Sequence, residues 1–224
     1  MRSKRYKTVQ EKAPAQAVDL TTAVAFLREH ARPNVDETIE VHIHLGVDPT
    51  KSDQIVRASV TLPAGAPKAK KIAVFADDAE QATAQQAGAA IVGGEELIAA
   101  VVKSGQLKAD VVVATPAMMP KIAKIARTLG PQGLMPNPKT GTVSADPASV
   151  VRELLGGKLS FKMDQLGNIH EAVGKTSWET DQIVKNVTAV LEAVRQAKPS
   201  AVKGRLIKNC TLKSTMSPGI RVAL

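Results

Sequence analysis

Between two breaks, Pro63-Ala-Gly-Ala-Pro67 and Gly156-Gly157, the hydrophobic rhythm of the chain changes. Inside them, short runs that are apolar throughout alternate with stretches of helical period. Ile72 to Ala76, Ala89 to Val92 and Val111 to Ala114 read as strands. Asp78 to Gly88, Glu95 to Ser104 and Pro116 to Leu129 read as helices, and Pro116 falls in a first turn, where a missing N–H is harmless. Strands apolar on both faces, each followed by a helix, call for a parallel sheet covered on both sides. Residues 68–158 are therefore expected to form a three-layer Rossmann-like α/β domain.

Outside the breaks the pattern is different. Asp19 is placed to cap a helix with the apolar face Leu20, Val24 and Leu27, ending before Pro33. Thr38 to Leu45 alternates strictly, with Ile39, Val41, Ile43 and Leu45 on one face and Thr38, Glu40, His42 and His44 on the other. Asp53 to Leu62 reads as a further strand. Phe161 to Met163 and Ile169 to Val173 flank a turn at Gly167-Asn168. Thr176 and Glu179 have capping-box spacing before a long helix with the stripe Ile183, Val187, Leu191 and Val194. In the last strand Leu206, Lys208, Cys210, Leu212 and Met216 are predicted on one face, and Thr211, Lys213 and Thr215 on the other. Neither outer part holds enough elements to close a core alone. Residues 1–67 and 159–224 are expected to combine into one split antiparallel α+β sandwich, with the middle domain inserted and the two breaks acting as hinges.

Thirty Lys and Arg against 21 Asp and Glu give a net charge of +9, which suits a polyanionic partner. The excess is concentrated at the end, where no acidic residue follows Glu192. Cys210 is the only cysteine, so an intrachain disulfide and a cysteine-rich zinc site are excluded, as in a reducing compartment. The basic start has no apolar run after it, and no stretch is long enough to cross a bilayer. A soluble cytoplasmic protein without a membrane partner is expected.

The most specific text is Leu129-Gly-Pro-Gln-Gly-Leu-Met-Pro-Asn-Pro-Lys-Thr-Gly-Thr-Val143, in which prolines and glycines dictate a backbone path. It resembles the signature of the L-one family of large-subunit ribosomal proteins, bacterial type. Asp36-Glu-Thr-Ile-Glu-Val-His42, Leu45-Gly-Val-Asp-Pro-Thr-Lys-Ser-Asp-Gln54, Ile169-His-Glu-Ala-Val-Gly-Lys175 and Ser214-Thr-Met216 resemble further family segments in the same order. The resemblance implies a split α+β domain with an inserted Rossmann-like domain. It also implies binding to a helical junction of large-subunit ribosomal RNA, forming the mobile stalk beside the exit-site tRNA. Repression of translation by binding the protein's own operon messenger RNA is implied as well, as is a monomer off the ribosome.

Carried over by resemblance, Thr38 and Glu40 lie on the RNA-facing strand, and Thr215 and Met216 match the first two positions of a Thr-Met-Gly motif. Hydroxyls suit 2′-OH and phosphate groups, Met packs on a ribose or base, and Glu40 is an acceptor for a 2′-OH or exocyclic amine. Ser217 stands where the family has Gly, and a side chain there is expected to crowd the RNA; Gly219 is expected to restore backbone freedom two places on. Val35 stands where Phe is common. Phosphate contacts are expected from Arg2, Lys4, Arg5, Lys162, Lys203 and Lys213.

The rival reading is a nucleotide-using enzyme on the Rossmann-like domain. No Gly-x-Gly-x-x-Gly follows Ile72 to Ala76 and no Walker loop is present, so no cofactor is expected. His42 and His44 share a strand face, but two ligands fall short of a closed metal site. With five aromatics in all, Tyr6, Phe26, Phe75, Phe161 and Trp178, a stacking platform is not expected to dominate.

Overall fold

The computed structural model describes residues 3–223, apart from the side chains at positions 52, 78, 79 and 139. The chain divides into two compact units. One runs up to Pro67 and resumes at Leu159; the other is Lys68–Lys158.

The first unit opens with α1 (Lys4–Lys12), capped by the Ser3 side chain, which accepts from the Tyr6 N–H. The charged text of this segment hid the helix from the sequence reading. Asp19 caps α2 (Leu20–Glu29) by accepting from the Thr21 N–H at 3.2 Å, and Ala23, Val24 and Leu27 are its buried face. In β1 (Thr38–Leu45) Ile39, Val41, Ile43 and Leu45 are buried, and the intervening residues lie on the other face. The strand expected from Asp53 begins only at Arg57, as β2 (Arg57–Thr61). Before it the chain curls, because the Gln54 side chain accepts from the Asp48 N–H at 2.8 Å and its own N–H bonds Lys51 O.

The second unit contains β3 (Ile72–Phe75), α3 (Asp78–Gln86), β4 (Ile91–Gly93), α4 (Glu95–Ser104) and β5 (Val111–Ala114). The strands pair in parallel, in the order β4-β3-β5. The helix expected over 116–129 is broken into α5 (Met119–Ile122) and α6 (Ala126–Leu129) between 3-10 turns. Pro120 explains the turn before α5, since it offers no N–H and its ring crowds the carbonyl of Pro116; nothing in the sequence of Ala123–Ile125 explains the turn between α5 and α6. In α7 (Pro147–Leu155) Asp146 accepts from the N–H groups of Ala148 and Ser149. One side of the sheet packs Phe75 and Ala73 on Ile98, Val101, Met118, Ile122 and Leu129; the other packs Ile72 and Val74 on Ala84, Val151 and Leu154. In the loop 129–143, Gly133 and Gly141 take φ of +70° and +69°, and Val143 bridges Ala114 in parallel register.

The chain then returns through β6 (Lys158–Lys162), β7 (Asn168–Lys175), α8 (Thr180–Gln196), β8 (Ile207–Ser214) and β9 (Ile220–Val222). The outer strands, expected to combine in one antiparallel arrangement, divide between two sheets: four strands in the order β7-β1-β8-β9, and a separate pair of β2 with β6. The strands flanking Gly167 thus part company, because Gly167 O accepts from Leu45 N–H and commits β7 to β1. The helix α8 starts three residues later than expected, with Glu179 and Gln182 forming the capping box, while Thr176 binds Glu37 N–H and Asp36 instead. The predicted alternation of β8 slips at Lys208. His44 pairs with Asn209 but Leu45 with Ile207, a bulge that turns Lys208 outward. Helices α2 and α8 supply Leu27, Ile183, Val187, Val190 and Val194 to the core over these sheets.

The turn entering β7 depends on Asp164. Its carboxylate accepts from the N–H groups of Leu166 and Asn168 at 2.9 and 2.7 Å. The Asn168 N–H bond, together with those from the Asn168 side chain, Leu166 and His170, outweighs burial and holds its pKa down to about 2, against an ordinary 3.8. A depressed carboxyl stabilises the fold fully above its unfolded pKa and loses that contribution as pH falls through its folded one. The amides of Leu166 and Asn168 should therefore lose hydrogen-exchange protection between about pH 4 and pH 2, and in Asp164→Asn this acid step should disappear.

Candidate nucleic-acid interface

The start of β1 and the end of β8 meet with Glu40 opposite Lys213 and Ile39 opposite Ser214. Beyond them Thr38 and Thr215 are tied reciprocally. Thr38 N–H donates to Thr215 Oγ1 at 3.2 Å, and Thr215 N–H donates to Thr38 O at 3.1 Å. The turn Ser214–Ser217 closes through Ser217 N–H on Ser214 O.

Glu37 lies under this turn and is 1% exposed. Its carboxylate accepts from the Ser214 hydroxyl, from Met216 N–H at 3.1 Å and from Arg32 N–H at 3.1 Å, and Arg5 stands 3.8 Å away. Arg5 also donates to His30 O, which fixes α1 against the end of α2. Burial pushes the Glu37 pKa up, but the hydrogen bonds from Ser214, Met216 and Arg32 and the Arg5 charge together hold it below its ordinary value. One ionised carboxylate thus joins α1, the loop before β1 and the turn after β8.

Above this knot opens a cleft of about 560 Å³, lined by Ser3, Arg5, Tyr6, Arg32, Lys213, Thr215, Met216 and Ser217. Met216 is 52% exposed and does not follow buried Cys210 and Leu212, because the strand has ended and the turn points the side chain outward. The cleft offers three cations, a Thr hydroxyl and an exposed thioether, a mixture suited to phosphate, ribose and base.

Of the residues singled out from the sequence, Arg5, Lys213, Thr215, Met216 and Ser217 share this cleft, with Thr38 and Glu40 on the adjoining strand. Lys162 does not join them; it lines a separate groove with Pro49, Ile55 and Asp164. Lys4 and Lys203 are exposed in α1 and in the loop before β8, and Arg2 lies outside the described residues. The expected crowding by Ser217 is corrected. Its side chain is 2% exposed and turned inward, accepting from Ser214 N–H at 2.9 Å and reaching Pro218 O at 3.1 Å. Gly219 restores no special freedom, since its φ is not positive; a Cβ there would lie 2.8 Å from Thr211 Cγ2. Val35 is half-exposed, at 50%.

The sequence reading missed Glu37, Arg32, Ser3 and Tyr6. A signal existed for Glu37: extending the β1 alternation back by one step puts it on the side of Ile39 and Val41. A carboxylate on the core face must be bonded from several sides.

His42 and His44 do not share a site. His42 Nδ1 lies 2.6 Å from His170 Nδ1 across β7, while His44 bonds Asn168 Oδ1. Among the described residues no group of three or more His, Cys, Asp or Glu could hold a metal. In the second unit, a cleft near the carboxyl ends of β3 and β4 is lined by Asp77, Glu95 and Glu96 with Lys121, and Lys121 is already paired to Glu95 at 2.8 Å. That sign of charge repels a nucleotide phosphate. No described helix is long and apolar enough to cross a membrane.

Comparison with known proteins places the whole chain in one family. The sequence model of the Ribosomal protein L1p/L10e family matches residues 27–218. "Large ribosomal subunit protein uL1" of Frankia alni is 46% identical over 222 residues, covering 99% of this chain and 93% of that protein. The proteins of the same name from Corynebacterium diphtheriae and Solibacter usitatus are 43% and 41% identical, over 99% and 98% of this chain and 94% and 92% of their own lengths.

Proposed function

The chain belongs to the ribosomal protein L1p/L10e family, and we propose that it binds a helical junction of large-subunit ribosomal RNA through the Thr38–Thr215 edge and its cleft. It is a bacterial-type protein of the large ribosomal subunit, working in the cytoplasm, and not an enzyme. The observation that carries the RNA reading is the gathering of Arg5, Arg32, Lys213, Thr215 and exposed Met216 around one cleft, on a turn held by buried Glu37. Rigid presentation of hydroxyls and cations suits a structured junction, whose shape is read through 2′-OH and phosphate groups.

In this reading the first unit is a split α+β domain and the second an inserted Rossmann-like domain, joined by two covalent crossings that act as a hinge. The protein forms the mobile stalk beside the exit site and takes part in release of deacylated tRNA. Its own operon messenger RNA, folded into a similar junction, is the second ligand and the basis of translational repression. Off the ribosome it is a monomer.

The test is titration of the chain with the stalk junction of large-subunit ribosomal RNA against a shuffled RNA of equal length. Junction binding should be favoured, and the variant Thr215→Ala with Met216→Ala should bind the junction about tenfold more weakly while keeping its fold, given the ~1–2 kcal/mol typical of such contacts. Equal binding to both RNAs would overturn the proposal. An unaffected variant would move the site elsewhere.

A further inference from the structure

Five of the cations outside this cleft fall in one short stretch of the chain. Arg195 in the last turn of α8, Lys198 just after it, Lys203 and Arg205 in the following loop, and Lys208 at the β8 bulge are all exposed. Arg195, Lys198 and Arg205 line one groove of about 280 Å³ with Leu206 and Ile207. Lys208 belongs to the same patch. A Cβ built on Gly46 would lie 2.7 Å from Arg205 O and 3.2 Å from Lys208 Cε, so both residues flank the same backbone. Among the described residues none of the five forms an ion pair, whereas Arg5, Lys51, Lys68, Lys121, Lys158 and Lys175 all do. The sequence holds no carboxylate after Glu192 to oppose them.

Local stability accounts for part of this. Arg195 complements the C-terminal end of the α8 dipole, and Lys198 Nζ clips the loop by donating to Gly204 O at 2.7 Å. It does not account for Lys203, Arg205 and Lys208, whose side chains make no ion pair or hydrogen bond among the described residues. The bulge that breaks the alternation of β8 puts Lys208 outward, where the regular pattern would have turned it into the core.

We propose that this patch is a second RNA contact, binding backbone phosphates and independent of the Thr38–Thr215 cleft. The inference rests on the RNA reading above and adds a separate surface to it. The patch lies at the Leu45 end of β1, where Leu45 pairs with Ile207, and the cleft lies at the Thr38 end, where Ile39 pairs with Ser214. The length of an eight-residue strand, about 23 Å at 3.3 Å per residue, separates them. The RNA is therefore held at two points along β1. The cleft recognises shape through hydroxyls and Met216, and the patch contributes charge alone, which sets affinity and salt dependence without choosing sequence.

The test is the dependence of binding on salt, measured with the full chain and both the junction and the shuffled RNA. The triple variant Lys203→Gln, Arg205→Gln, Lys208→Gln removes three cations while leaving Arg195 and Lys198 in their structural roles. A control, Lys103→Gln, Lys108→Gln, Lys124→Gln, removes the same charge from exposed positions in the second unit. With a duplex slope of about 0.9 per neutralised phosphate, the loss of three contacts should flatten log K against log salt by about 2.7 and weaken junction binding at least on the order of tenfold at moderate salt. The control should leave the slope within about 0.5 of the parent. A patch variant indistinguishable from the parent, or from the control, would overturn the inference. If the parent chain does not distinguish junction from shuffled RNA, the junction reading fails, and the patch still stands or falls on the same comparison of slopes.

Discussion

Glu37→Ala should lower the stability of the first unit by about 3 kcal/mol and weaken junction binding more than any substitution in the cleft itself. The reason is the number of groups that lose their partner together: the Ser214 hydroxyl, the N–H groups of Met216 and Arg32, and the Arg5 charge. Arg5 is partly exposed and recovers water, so the cost falls mainly on the buried turn. Urea denaturation of parent and variant measures the first effect, and RNA titration the second. Glu37→Gln keeps an acceptor but offers an amide where donors converge, and should retain roughly half of the lost stability. The carboxyl also predicts a pH dependence. Its folded pKa is held below the ordinary 4.5, so its contribution is complete above that value and is lost as pH falls through the folded one. Denaturation midpoints of the parent should drop more steeply below pH 5 than those of Glu37→Gln; parallel curves would remove Glu37 from its proposed position.

Asn186→Leu should cost a comparable amount, about 3 kcal/mol, although the substitution makes the α8 stripe more hydrophobic. Asn186 is fully buried. Its Oδ1 accepts from Ala64 N–H at 3.0 Å, and its Nδ2 donates to Gly65 O at 3.2 Å and Val173 O at 2.8 Å. One side chain therefore satisfies the break at Pro63–Pro67 and the strand β7 together. Leucine leaves three backbone groups without that partner, of which Val173 O is fully buried and Ala64 N–H and Gly65 O half-buried. The expected signature is a lower urea midpoint with an unchanged m-value, together with faster exchange at the Ala64 amide. A loss under about 1 kcal/mol would mean that water replaces the amide at no great cost.

What was legible in the sequence was whatever local period decides. The strict alternation of Thr38–Leu45 is realised residue by residue, and the apolar runs at Ile72 and Val111 became the paired strands of a parallel sheet. The illegible parts turned on distant partners or single-residue exceptions. Pro120 interrupts the start of a helix whose apolar period is intact, and the Gln54 side chain shortens β2. Thr176 has capping spacing but is claimed by Asp36 and Glu37, more than a hundred residues earlier. The site divides in the same way. Resemblance located Thr38, Glu40, Thr215 and Met216. The carboxylate beneath them went unread because its partners come from three separate segments.

The pairing of β1 also fixes a timetable. Both of its partners are made far later: Thr38 pairs with Lys175, and Ile43 with Cys210. The second unit needs only the contiguous stretch Lys68–Lys158. At a synthesis rate of about 5–20 residues per second, β1 waits on the order of ten to thirty seconds for its neighbours, while the middle segment closes its core within that interval. Throughout the delay Ile39, Val41, Ile43 and Leu45 form an apolar row with both strand edges unpaired, the kind of surface on which nascent chains associate. A strand among the first to be made is therefore among the last to find its sheet, and the yield of folded protein depends on how well that waiting row is kept apart from its copies.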